Sequence, residues 1–150
     1  MRIAGIPLII FALFFWHPYI AVIIFLLIMA SDLIDGWLAR KLNQVTELGK
    51  FLDPLADKIL VISILITLVE IKNIPSLPVL LIAGREIATT CIRVMGTKVI
   101  GANYFGKTKT FLQTITILML ILNVAYANWM LWITTLVTII SGVDIWMRRK

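Results

Sequence analysis

Cysteine, histidine and charged side chains are all scarce in this 150-residue sequence. The one cysteine, Cys91, excludes an internal disulfide, and we expect it simply to pack. The one histidine, His17, is expected at a turn rather than in a site. A zinc centre needs nitrogen or sulfur ligands, so the shortage of both residue types argues against one.

Charge is the other shortage, since only 15% of the residues are charged and 61% are hydrophobic. Soluble domains carry about 25% charged residues, so this composition predicts an integral membrane protein. No linker, repeat or low-complexity tract interrupts the sequence. We therefore expect one domain spanning residues 1–150.

Long apolar segments with short connections predict an all-α protein with six transmembrane helices. A spanning helix needs about 20 mainly apolar residues. The first segment is shorter, and we expect a true, abbreviated helix there rather than a cleaved signal peptide. The predicted helices cover residues 3–16, 19–40, 49–69, 77–99, 108–126 and 129–147, with turns at 17–18, 72–75 and 127–128.

Lysine and arginine are concentrated at both termini and in the second and fourth connections, whereas the opposite connections contain only Lys72. Cytoplasmic connections of membrane proteins carry the positive excess. Both termini and the basic connections are therefore expected in the cytoplasm. The net charge of +6 then reflects topology and contact with anionic membrane lipid, and no nucleic acid is needed to explain it.

The segment SDLIDGWLARKLNQVTELGKFLDPLADK, residues 31–58, places four aspartates in this apolar chain. Helical residues three or four apart share a face, which pairs Asp32 with Asp35 and Asp53 with Asp57. The connection over residues 41–48 is short, so the second and third helices should be antiparallel neighbours. All four acids are then expected in one pocket near the cytoplasmic side.

A single acid of this kind fits an ion pair with Arg40 or Lys58, or a solvated helix end, equally well. Four together would repel and become protonated unless cations neutralise them. An all-oxygen ligand set suits Mg²⁺ or Mn²⁺ rather than zinc. With no histidine or cysteine nearby to act as a nucleophile, the metal is expected to hold phosphate oxygens while a hydroxyl breaks a pyrophosphate bond in line.

Small residues accompany the acids, and they either permit close helix packing or leave room for a nucleotide. Together with the acids they complete the pattern D-x2-D-G-x2-A-R-x8-G-x3-D-x3-D without departure. The pattern resembles the signature of the CDP-alcohol phosphatidyltransferase family. Its eight positions are Asp32, Asp35, Gly36, Ala39, Arg40, Gly49, Asp53 and Asp57.

The resemblance implies a role for each of these residues. The four aspartates would hold one or two Mg²⁺ or Mn²⁺ ions, and Asp57 would also take the proton from the attacking hydroxyl. The CDP part of the substrate would be contacted by Asp32, Gly36, Ala39, Arg40 and Gly49. The family also implies a six-helix membrane fold and a homodimer.

Further stretches resemble the family members that join CDP-diacylglycerol to glycerol 3-phosphate and release CMP. They are Asp-Pro-Leu-Ala-Asp-Lys (53–58), Gly-Arg-Glu-Ile (84–87) and Gly-Lys-Thr-Lys-Thr (106–110). The resemblance implies these substrates. We expect the protein to lie in the cytoplasmic membrane of a prokaryote, with its active site facing the cytoplasm. Members usually begin with an amphipathic stretch, of which only Met1 and Arg2 correspond here, so we expect a start assigned too late or a trimmed protein.

The acceptor's own phosphate must be met by cations, and the candidates are Arg85, Arg93, Lys107 and Lys109. The lysines fit loop charges or lipid contacts equally well. Arg85 lies well inside the fourth helix, so it should either pair with Glu86 or a carboxylate of the signature, or face a polar cavity together with Arg93. We favour the cavity.

Two alternatives remain open. A sister enzyme with the same signature would use serine, inositol, inositol phosphate or phosphatidylglycerol as acceptor. A cation or proton transporter also carries membrane aspartates, but it would be expected to show inverted repeats and helices broken at the midplane, and the sequence has neither.

Overall fold

A computed structural model of the protein describes the backbone of residues 2–15, 17–41, 47–95 and 104–147, and the side chains of residues 5–15, 17–31, 55–91, 108–143 and 147. Within these ranges the fold contains helices and no strand, which confirms the all-α prediction. The helices are α1 (Arg2–Phe15), α2 (Pro18–Lys41), α3 (Glu47–Lys72), α4 (Ser76–Met95), α5 (Tyr104–Ile121) and α6 (Ala127–Met147).

The chain divides into two compact units, an N-terminal unit (Met1–Thr67) and a C-terminal unit (Leu68–Lys150). The boundary falls inside α3, near its C-terminal end. The expectation of a single domain stays a prediction.

In the N-terminal unit, α1 packs against α2. The carbonyl of His17 accepts hydrogen bonds from the amides of Ile20, at 2.9 Å, and Ala21, at 3.4 Å, so His17 caps α2. Pro18 follows as the first helical residue, where its missing amide costs nothing. The interface is apolar and fully buried at Ile9, Ala12, Ala21 and Phe25.

In the C-terminal unit, α6 packs against both α4 and α5. Besides the fully buried Leu131, its buried face carries mainly small polar side chains. The polar residues on this face are Thr134, Thr135, Thr138 and Ser141. Separations of three and four residues place them on one side of the helix.

The connection between α5 and α6 differs from the prediction. α5 ends at Ile121 rather than at residue 126, and Ala127 and Asn128, predicted as the turn, already belong to α6. The reason is Asn123, which adopts the left-handed conformation with φ of 54°. The amide of Asn123 bonds the carbonyl of Leu120, and that of Val124 bonds the carbonyl of Met119, as in a Schellman cap.

The surface of both units is rich in large apolar side chains, including Phe15, Leu27, Leu80, Trp129 and Ile140. Among the helices that the structure describes, none meets the combined requirement of length and apolar character for crossing a membrane. The predicted membrane location stays a prediction.

Candidate active site

The four aspartates lie on two helices, as the sequence predicts. Asp32 and Asp35 belong to α2, and Asp53 and Asp57 belong to α3. Each helix is continuous over its pair, so separations of three and four residues keep both members on one face. All four positions fall within the N-terminal unit.

The side chain of Asp57 is described, and it is partly exposed. The side chains of Asp32, Asp35 and Asp53 lie outside the described residues, so the meeting of the four carboxylates stays a prediction. Within the described part of the chain, no group of three histidine, cysteine or acidic residues is placed to hold a metal ion. Of the four predicted ligands, only the side chain of Asp57 belongs to that described part.

The residues predicted to contact CDP also lie on α2 and α3. Gly36, Ala39 and Arg40 extend the acidic face of α2, and Gly49 lies in the first turn of α3. Their side-chain surroundings lie outside the described residues, as do those of two predicted acceptor-phosphate residues, Arg93 and Lys107.

The structure describes a buried polar cluster in the C-terminal unit, made of Arg85, Glu86, Lys109, Gln113 and Ser141. Its centre is Oε1 of Glu86, which Nη1 of Arg85 approaches to 3.2 Å. The same oxygen forms an ion pair with Nζ of Lys109 and accepts a hydrogen bond of 3.5 Å from Nε2 of Gln113. The side chains of Arg85, Glu86 and Lys109 are only 11%, 5% and 9% exposed.

The spacing of these residues explains how they meet. Lys109, Gln113 and Thr116 are four and three positions apart, so they form one buried face of α5. Further along this face, the hydroxyl groups of Thr116 and Thr134 lie 2.7 Å apart and connect α5 with α6. The side chains of Lys109, Gln113, Thr116 and Thr134 therefore each find a partner inside the unit. Among the described side chains, the buried hydroxyl of Thr138 has no hydrogen-bond partner.

Arg85 reaches α6 as well. Its Nη2 donates a 2.9 Å hydrogen bond to Oγ of Ser141. The neighbouring Gly142 lies so close that a Cβ there would be 2.9 Å from Nε of Arg85. Of the two alternatives for this arginine, pairing with Glu86 is observed, and its contact with an acceptor phosphate stays a prediction.

Sequence reasoning missed the central position of Glu86 and the part that Ser141 and Gly142 play. Two signals were present, because Glu86 lies in the Gly-Arg-Glu-Ile stretch and Lys109 in the Gly-Lys-Thr-Lys-Thr stretch. Nothing in the sequence indicates that these stretches share an ion pair, since they are separated by a connection whose path only the folded chain decides.

Comparison with known proteins agrees with the signature. Residues 1–140 match the family profile described as CDP-alcohol phosphatidyltransferase. A CDP-diacylglycerol–glycerol-3-phosphate 3-phosphatidyltransferase from Bacillus subtilis (strain 168) is 42% identical over 131 residues, which cover 80% of this chain and 68% of the relative.

Two other relatives are covered more fully. A CDP-diacylglycerol–glycerol-3-phosphate 3-phosphatidyltransferase from Rickettsia bellii (strain RML369-C) is 36% identical over 156 residues, or 94% of this chain and 86% of the relative. A probable phosphatidylglycerophosphate synthase from Mycobacterium tuberculosis (strain ATCC 25618 / H37Rv) is 34% identical over 157 residues, or 96% of this chain and 75% of the relative. The family profile and these identities together assign the chain to the CDP-alcohol phosphatidyltransferase family.

Proposed function

We propose that this chain transfers the phosphatidyl group of CDP-diacylglycerol to glycerol 3-phosphate and releases CMP. The observation that carries the proposal is the complete eight-position signature, whose residues belong to two consecutive helices of the chain, α2 and α3. The names of the relatives from Bacillus subtilis and Rickettsia bellii support the choice of donor and acceptor.

The four aspartates of the signature would hold one or two divalent ions. The donor set fits Mg²⁺ or Mn²⁺ because it consists of carboxylates alone, and nitrogen and sulfur ligands are lacking nearby. When bound, the metal supplies positive charge to the diphosphate oxygens of the donor.

Asp57 takes the proton from the attacking hydroxyl of glycerol 3-phosphate, a role that a carboxylate performs when it lies within hydrogen-bond reach. The hydroxyl oxygen forms a bond to the phosphorus of the phosphatidyl group while the bond from that phosphorus to CMP breaks in line. Gly36, Ala39 and Gly49 leave room for the CDP part, and Arg40 offers its guanidinium to the diphosphate. Asp32 contributes to the same nucleotide site.

The acceptor's phosphate is bound by Arg85 and Lys109, with Arg93 and Lys107 as further contacts. The burial of Arg85 and Lys109 supports this role, because a phosphate interacts more strongly with cations that are shielded from water. Arginine also suits phosphate because its planar guanidinium offers parallel donors.

We further propose that the protein works in the cytoplasmic membrane of a prokaryote, as a homodimer with its active site on the cytoplasmic side. Large exposed apolar side chains on α1, α2, α4 and α6 support membrane insertion, since such surfaces are rare on soluble monomers. The lipid nature of the donor supports it as well. Retention of the protein in membranes after washing at high salt and high pH is the expected result.

The activity is tested by incubating the purified protein in detergent micelles with CDP-diacylglycerol, Mg²⁺ or Mn²⁺ and a panel of acceptors, and measuring CMP. We expect CMP with glycerol 3-phosphate, loss of activity with EDTA, and recovery when Mg²⁺ or Mn²⁺ is added in excess. No CMP with any acceptor would refute the transferase. Release with serine, inositol, inositol phosphate or phosphatidylglycerol alone would refute the acceptor, and full activity in EDTA would refute the metal.

A further inference from the structure

We propose that Glu86, assisted by Ser141 and Gly142, is a positioning residue that holds Arg85 and Lys109 in the orientation required to bind the acceptor's phosphate. The inference rests on the proposed function, which assigns these two cations to glycerol 3-phosphate. Glu86 itself does not touch the substrate; it acts through the two basic side chains.

The first observation is that one buried oxygen serves two cations from different helices. Oε1 of Glu86 contacts Nη1 of Arg85 on α4 and Nζ of Lys109 on α5. Since Lys109 is a flexible side chain, the carboxylate decides where its ammonium group lies.

The second observation is that Arg85 is held at both ends of its guanidinium. Nη1 meets Glu86 at 3.2 Å and Nη2 donates to Ser141 at 2.9 Å. The two contacts fix the rotation of the guanidinium plane. A cation that is already oriented loses less conformational freedom when it binds a phosphate, which lowers the cost of binding.

The third observation is the absence of a side chain at position 142. A Cβ there would lie 2.9 Å from Nε and 3.1 Å from Cγ of Arg85, closer than side chains normally approach. Gly142 therefore lets the stem of Arg85 lie against the backbone of α6. By contrast, a Cβ at Gly84, the residue just before Arg85, would meet no atom within 4 Å.

The central test is Glu86→Gln, which keeps the shape of the side chain and removes its charge. We expect the KM for glycerol 3-phosphate to rise about tenfold, the effect of losing one charge-assisted contact. The KM for CDP-diacylglycerol should change less than twofold, because the donor does not use these cations. Glu70→Gln, on the exposed surface of α3, is the matched control and should leave both values unchanged.

A second pair of variants tests the position of Arg85 without altering any charge. Gly142→Ala should raise the KM for glycerol 3-phosphate several-fold by displacing Arg85, whereas Gly84→Ala should not. Ser141→Ala should also raise the KM for glycerol 3-phosphate. Ser141→Thr, which keeps the hydroxyl, should raise this KM less. This series keeps the inference testable if Glu86→Gln fails to fold.

The outcomes separate the two proposals. If the wild-type protein releases CMP with glycerol 3-phosphate and the variants Glu86→Gln and Gly142→Ala keep its KM values, the positioning role is refuted and the proposed function stands. If both KM values rise in parallel with a lower melting temperature, Glu86 is structural and the positioning role is again refuted. If the wild-type protein releases no CMP, the proposed function itself fails.

Discussion

The helix interfaces of the two units are built from different side chains. In the N-terminal unit, α1 and α2 meet through apolar residues that are large or very small, such as Phe25 and Ala12. In the C-terminal unit, hydroxyl groups of α6 bond side chains of α4 and α5, and a buried ion pair joins α4 to α5. Among the side chains that the structure describes, every buried polar residue except Thr67 lies in the C-terminal unit.

The difference shows what each interface requires. Apolar packing is tolerant of direction, so α1 and α2 need only complementary shape. A buried polar group must find a partner with correct geometry or lose the free energy of its hydration. The C-terminal unit therefore fixes the orientation of its side chains more tightly, which suits the role that we propose for it in binding a small charged acceptor.

The largest expected effect concerns the chemistry that we assign to the N-terminal unit. Asp57→Asn should reduce kcat by about 10²- to 10⁴-fold, because an amide cannot accept the proton of the attacking hydroxyl. Binding of CDP-diacylglycerol should largely persist, which a direct binding measurement checks. A variant with wild-type turnover would exclude Asp57 as the base, and Glu70→Gln serves as the control.

The apolar interface is broken most effectively at Phe25, which is 1% exposed. Phe25→Ala should reduce the free energy of unfolding by about 3–5 kcal/mol because it leaves a cavity between α1 and α2. Leu26→Ala, at a neighbouring side chain that is 46% exposed, should cost far less. Equal losses in denaturant titrations of the two variants would show that the interface does not depend on Phe25.

The polar interface is probed by the hydroxyl contact between Thr116 and Thr134. Thr116→Val should cost about 1 kcal/mol because the hydroxyl of Thr134 loses this partner. Thr134→Val should cost less, because the hydroxyl of Thr116 keeps its hydrogen bond to the carbonyl of Leu112. The double replacement should cost less than the two single ones together, because no unpaired hydroxyl is left. Thr114→Val is the control, because the hydrogen bond described for that hydroxyl lies within its own helix, to the carbonyl of Thr110. Strictly additive losses would contradict the coupling.

The smallest effect is expected at the turn that separates α5 from α6. Asn123 has a φ of 54°, a conformation that glycine adopts without strain. Asn123→Gly should therefore change the stability by less than about 0.5 kcal/mol, whereas Asn123→Val should destabilise by about 1–2 kcal/mol. Thermal unfolding of both variants gives the comparison, and a valine variant as stable as the wild type would show that this cap does not end α5.

Much of the fold and part of the site follow from the sequence. The order of the six helices, the turn at His17 and Pro18, and the placement of the signature residues on α2 and α3 were all predicted correctly. These features are local, because apolar segments, turn residues and fixed spacing act over a few neighbouring positions. The end of α5 was misplaced because the left-handed conformation of an asparagine is only one of several that it can adopt.

The sequence by itself determined the family, since the signature is complete at fixed spacing, and it predicts the residues that carry the chemistry. Only the tertiary structure decided that Glu86 joins Arg85 to Lys109 and that Ser141 and Gly142 hold Arg85 from α6. The physical reason is distance along the chain. A buried charge takes the partner that folding brings within reach, and Ser141 lies 56 positions after Arg85.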